Sequence, residues 1–80
     1  MAKTIYDDHY QALIAQLKAE RLRRGLTQAD VGRRGGKCRT WLNKIESYQI
    51  RLDILDFVRL CHVLGIEPGR LIRKLAKALK

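Results

Sequence analysis

Between Arg39 and Ser47 the chain reads Arg-Thr-Trp-Leu-Asn-Lys-Ile-Glu-Ser, and its residue types divide by chemistry. Turned as a helix at about 100° per residue, Cys38, Trp41, Leu42 and Ile45 fall on one side. Arg39, Thr40, Asn43, Lys44 and Ser47 fall on the other. Arginine can grip guanine O6 and N7 with two hydrogen bonds, asparagine can pair with adenine, and threonine can serve a base edge or a thymine methyl. That face carries what reading a major groove requires, although on an isolated helix it would be merely solvated. The neighbouring charge argues for more. Arg33, Arg34, Lys37, Arg39, Lys44 and Arg51 lie in a stretch where Glu46 is the only acid between Asp30 and Asp53. Neutralising about six phosphates per protomer would make binding fall steeply with salt. Arg34, Lys37 and Arg51 are the cations expected on phosphates, with Ser47, Tyr48 and Gln49 within reach of the sugar-phosphate backbone.

Other chemistries find no support. General acid–base catalysis needs paired carboxylates in a pocket, and a nucleophile needs a base within reach; the chain is too short to wall off either, so no enzyme is expected. His9 and His62 are lone histidines with no ligand at metal spacing, so no metal and no cofactor are expected. Trp41 could stack on a base, but beside Leu42 and Cys38 it reads as a packer at the core edge. Cys38 could be a thiol tuned by a helix N-terminus, or simply a poor substitute for a capping residue. Cys61 reads as a small core residue.

The elements that must position this face are helical throughout. Tyr6, Tyr10, Leu13, Ile14, Leu17 and Leu22 recur at helical spacing, which predicts a first helix from about residue 7 to about 24. Asp7 and Asp8 favour its start and Gly25 its end. Thr27 with Asp30 forms a capping box for a second helix over about 28–34, whose exposed amides suit an anion. Arg34-Gly35-Gly36-Lys37 breaks it, and the candidate reading helix follows over about 39–47. Asp53 caps a fourth, with Ile54, Phe57, Val58, Cys61 and Leu64 expected inward and Gly65 as its stop. Pro68 opens a fifth. Its Leu71, Ile72, Leu75 and Leu79 make more apolar stripe than one small core needs, and so suggest a dimer surface.

Eighty residues, 46% of them hydrophobic, allow one small domain and exclude a basic disordered tail. Seventeen Lys and Arg against eight Asp and Glu give a net charge of +9, which strains a compact fold and points to a polyanionic partner. No apolar run approaches the roughly 20 residues of a membrane span. Met1-Ala2-Lys3-Thr4 opens no signal peptide, and two isolated cysteines fit reduced thiols in a cytoplasm.

Two short helices joined by a glycine turn, in an all-α basic domain, describe a helix-turn-helix. Gly25-Leu26-Thr27-Gln28-Ala29-Asp30-Val31 resembles the opening of XRE-type (Cro/repressor-like) domains. Lys44-Ile45-Glu46, Arg51-Leu52-Asp53 and Leu64-Gly65-Ile66 fall in register with that family's later motifs, over roughly residues 10 to 75. The resemblance implies a compact five-helix, repressor-like domain over residues 1–80 with a central helix-turn-helix. It implicates Arg39, Thr40 and Lys44 as base readers, with Asn43 added by helix geometry. It also implies that Gln28 bonds a phosphate and braces the start of the recognition helix, and that Arg21 pairs with Glu46. The chain departs from the pattern at Gly35-Gly36-Lys37, at Cys38 in place of a Ser or Thr cap, and at Tyr48 in place of glycine. The implied function is a homodimeric, sequence-specific regulator of transcription, usually a repressor, reading a palindromic operator in double-stranded DNA. An antitoxin or operon autoregulator with a protein partner is the nearest alternative. An RNA-binding or membrane-surface module, the latter on the cationic stretch from Leu71 to Lys80, is a more distant one.

Overall fold

The computed structural model describes residues 4–80. A 3-10 turn, Thr4–Tyr6, leads into five helices: α1 Asp8–Arg23, α2 Gln28–Arg34, α3 Trp41–Glu46, α4 Ile54–Leu64 and α5 Pro68–Ala78. No strand occurs among the described residues. Local chemistry sets most of the ends. Asp7 accepts from the His9 and Tyr10 amides to cap α1. Asp53 accepts from the Asp56 amide to cap α4, and Pro68 occupies the first turn of α5, where its missing N–H leaves no bond unmade.

Every helix contributes to one core. Ile14 and Leu17 come from α1, Val31 from α2, Leu42 and Ile45 from α3, Phe57, Leu60, Cys61 and Leu64 from α4, and Leu71 from α5, with Ile66 closing the α4–α5 turn. The segment after α3 is tied to α1 where the Leu52 amide donates to the Tyr10 hydroxyl at 3.0 Å.

The expected faces need several corrections. Tyr6 lies in the 3-10 turn before α1, and Leu22 falls to one side of the buried Ile14, Leu17 and Arg21, so both are exposed. On α4, Ile54 and Val58 face outward and Leu60 faces inward; Ile54 and Leu55 are 67% and 64% exposed. Apolar residues cover more than one face of α4, and the stripe that packs holds Phe57, Leu60, Cys61 and Leu64, beside the buried Asp56. Its carboxylate accepts from Lys37 at 3.0 Å and from Arg59 at 3.2 Å, which points that side of α4 at the α2–α3 turn. Cys38 is exposed, not inward. Leu71 is 1% exposed and belongs wholly to the core, so it is not free for a dimer surface. Ile72 and Leu79 remain exposed on α5, with Leu75 half-buried.

Candidate nucleic-acid interface

The site begins at the start of α2. Thr27 Oγ1 accepts from the Asp30 amide and Asp30 accepts from the Thr27 amide, each at 3.0 Å. The Thr27 amide, then its hydroxyl and Arg33, hold the Asp30 carboxyl down at about 2. At the other end of α2 the chain reverses through Gly36, whose φ of +71° belongs to the left-handed region that favours glycine. The Lys37 amide returns to the Gly32 carbonyl at 2.8 Å. Gly32 is buried, and a Cβ there would stand 3.2 Å from the Cys38 carbonyl oxygen. The two helices are therefore joined by backbone contact.

α3 starts at Trp41, two residues later than the expected 39; Arg39 and Thr40 form the turn that leads into it. No side-chain cap secures an earlier start. Thr40 makes no side-chain capping bond, and a thiol at Cys38 is a weak acceptor. The Cys38 thiol instead lies 3.7 Å from the Thr40 hydroxyl. That hydroxyl, then the Thr40 and Trp41 amides and the Lys44 charge, lower its pKa. Cys61, buried in the core, is pushed the other way by desolvation and by Glu67.

Leu42 and Ile45, both 1% exposed, seat α3 on the core. Asn43 and Lys44 on α3, and Arg39 and Thr40 in the turn before it, are all exposed. Arg34 and Arg51 are exposed nearby, and among the described residues none of Arg34, Arg39, Lys44 and Arg51 has a carboxylate partner.

Two expected phosphate contacts are redirected. The Lys37 ammonium pairs with Asp56 and lies 5.5 Å from the centre of the Trp41 ring, so it fastens the turn to α4. The Ser47 hydroxyl donates to the Asn43 carbonyl at 2.7 Å and accepts from the Gln49 amide group at 2.8 Å. Its one hydrogen is therefore engaged within the protein. Tyr48 is half-buried against the core and holds a φ of +63°, where a Cβ is penalised. A tyrosine here therefore carries a backbone cost that a glycine would not.

Behind the face runs a chain of hydrogen bonds. Arg21 Nε donates to Glu46 Oε2 at 2.8 Å and Arg21 NH2 to Glu46 Oε1 at 3.0 Å, while NH1 donates to the Leu26 carbonyl at 2.8 Å. Glu46 as a residue is partly exposed, but the two side chains are only 8% and 6% exposed. Gln28 Nε2 donates to Glu46 Oε1 at 2.9 Å, and Asn43 Nδ2 donates to Gln28 Oε1 at 3.4 Å. Gln28 thus braces the middle and end of α3, not its start. The Lys37–Asp56 tie and the Gln28–Asn43 contact had no sequence signal: Asp56 reads as a helix-start acid, and polar partners 15 or more residues apart follow no local period.

The helix-turn-helix domain model matches residues 12–78. A solved structure described as an XRE-family like protein from Pseudomonas syringae pv. tomato str. DC3000 superposes with a TM-score of 0.85 at 33% identity, covering 98% of each chain.

This chain belongs to the XRE-type helix-turn-helix family.

A comparison with curated proteins gives no match. XRE-type membership supports a DNA-binding regulator as the class of function. Among the described residues no helix is long and apolar enough to cross a membrane.

Proposed function

We propose that this chain is a non-enzymatic, cytoplasmic repressor that binds a palindromic duplex operator as a homodimer. One observation carries the reading: α3 is seated on the core by Leu42 and Ile45, and Asn43 and Lys44 on it, with Arg39 and Thr40 in the turn before it, are exposed together with cations that have no carboxylate partner among the described residues. Arg39, Thr40, Asn43 and Lys44 meet base edges, while Thr27, Arg34, Tyr48 and Arg51 meet the backbone; Gln28, with both polar ends facing Glu46 and Asn43, leaves the expected phosphate set. Lys37 and Ser47, engaged within the protein, support the turn and the helix exit. Two such helices related by a dyad would enter successive major grooves about 34 Å apart. Ile72 and Leu79, with Leu75 between them, form the dimer surface on α5.

A second reading, an operon autoregulator that also holds a protein partner, draws on the exposed apolar strip Ile54, Leu55 and Val58 of α4. Selection of sites from random duplex DNA, with wild type beside an Arg39→Ala, Lys44→Ala variant, tests the main reading. A palindromic consensus that blurs in the variant is expected. Enrichment without any consensus refutes base reading, and equal capture of structured RNA refutes the duplex as the target.

A further inference from the structure

The chain of bonds behind α3 has a direction, and the direction follows from chemistry alone. A carboxylate facing a guanidinium accepts hydrogen bonds and donates none. Glu46, held by the Arg21 fork, therefore requires the nitrogen end of the Gln28 amide to face it, as the 2.9 Å contact shows. That choice turns Gln28 Oε1 toward Asn43, 3.4 Å from Asn43 Nδ2. An oxygen at that place accepts only, so Asn43 must in turn offer its nitrogen. One amide hydrogen of Asn43 is then taken, and Oδ1 and the second hydrogen remain for solvent or a base. Asn43 is exposed on α3, so both are accessible.

The geometry points to Gln28 as a positioning residue that fixes the carboxamide of Asn43, and to adenine as the base that Asn43 reads. This rests on the reading that α3 enters the major groove of duplex DNA. Adenine presents the N6 amino group as donor and N7 as acceptor, complementary to Asn43 Oδ1 and its free N–H. A freely turning asparagine would present donor and acceptor in either order. Held by Gln28, it keeps one order, and the anchor is the buried pair that also fixes α3 to α1.

The test uses the full chain and the same random-duplex selection, with Asn43→Ala, Gln28→Met and the double variant beside wild type. Wild type is expected to favour adenine about tenfold to a hundredfold at one position of each half-site. Asn43→Ala flattens that position alone. Gln28→Met, which keeps length but removes both polar ends, relaxes the same position by about threefold to tenfold and leaves the others unchanged. The double variant goes no further than Asn43→Ala. Replacing that adenine by 7-deazaadenine, which lacks the N7 acceptor, weakens wild type and not Asn43→Ala. Even loss across every position in Gln28→Met, at unchanged melting temperature, would mean that Gln28 supports affinity and not orientation, and would overturn the proposal. So would an Asn43→Ala variant that loses preference for any base other than adenine. Asn43 is exposed, so that variant reports even if Gln28→Met folds poorly. A wild type that enriches no consensus overturns the DNA reading itself, and the relay falls with it.

Discussion

Arg21→Met isolates the buried contact that ties α3 to α1. The substitution keeps an unbranched side chain but removes three hydrogen bonds, two to Glu46 and one to the Leu26 carbonyl. Glu46, with its side chain 6% exposed, keeps a single donor, Gln28. Breaking one side of a buried pair costs about 3–5 kcal/mol, because the remaining charge stays desolvated without its partner. An 80-residue domain at roughly 0.05–0.15 kcal/mol per residue holds only about 4–12 kcal/mol in all. The variant should therefore lose a large fraction of its stability, and its melting temperature should fall by roughly 15 °C or more. Urea titration followed by far-ultraviolet circular dichroism measures it, with an unchanged slope showing that the unfolded state is the same. Arg21→Met with Glu46→Leu removes both charges and should recover about 2 kcal/mol or more relative to the sum of the two single variants. A cost below about 1 kcal/mol for Arg21→Met, the range of exposed pairs, would refute the reasoning. So would strict additivity.

Leu71→Ala should cost about 2–5 kcal/mol without changing the association constant, whereas Ile72→Ser with Leu79→Ser should weaken association at nearly unchanged stability; sedimentation equilibrium beside urea titration separates them. Tyr48→Gly releases a left-handed residue, worth about 1–2 kcal/mol, but loses a half-buried ring. The net change should stay within about 1 kcal/mol of zero in urea titration, where an ordinary buried aromatic would lose about 3–5 kcal/mol on truncation. Arg23 and Arg24 hold the Glu20 carboxyl near 2 against an ordinary 4.5, and the Thr27 cap holds Asp30 near 2 against 3.8. A depressed folded value means the contribution is present above the unfolded value and lost as pH falls through the folded one. Melting temperature at low salt should therefore drop between about pH 5 and pH 2, and Glu20→Gln with Asp30→Asn should flatten that drop.

Sequence alone was enough for the elements and the family, because their causes are local. Thr27 and Asp30 cap within three residues, and Gly25, Gly36 and Gly65 sit where the chain must turn. A stretch whose one acid is Glu46 among six cations is legible as a basic segment without a structure. The XRE-type motifs are similarly contiguous. What tertiary structure alone decided involves residues distant along the chain. Apolar side chains cover more than one face of α4, and which of them packs emerges only where Phe57, Leu60, Cys61 and Leu64 meet the other helices and Asp56 meets Lys37 from the α2–α3 turn. The same contact takes Lys37 from the phosphate-binding set. Leu71 is indistinguishable from Ile72 in an amphipathic stripe, until packing against the core buries one and leaves the other exposed. The order in which Asn43 presents donor and acceptor is set by Gln28, 15 residues earlier, and by a carboxylate that can only accept. Helical period reports which residues share a face; which face meets the core, and which polar groups are already engaged, depends on contacts that no local pattern encodes.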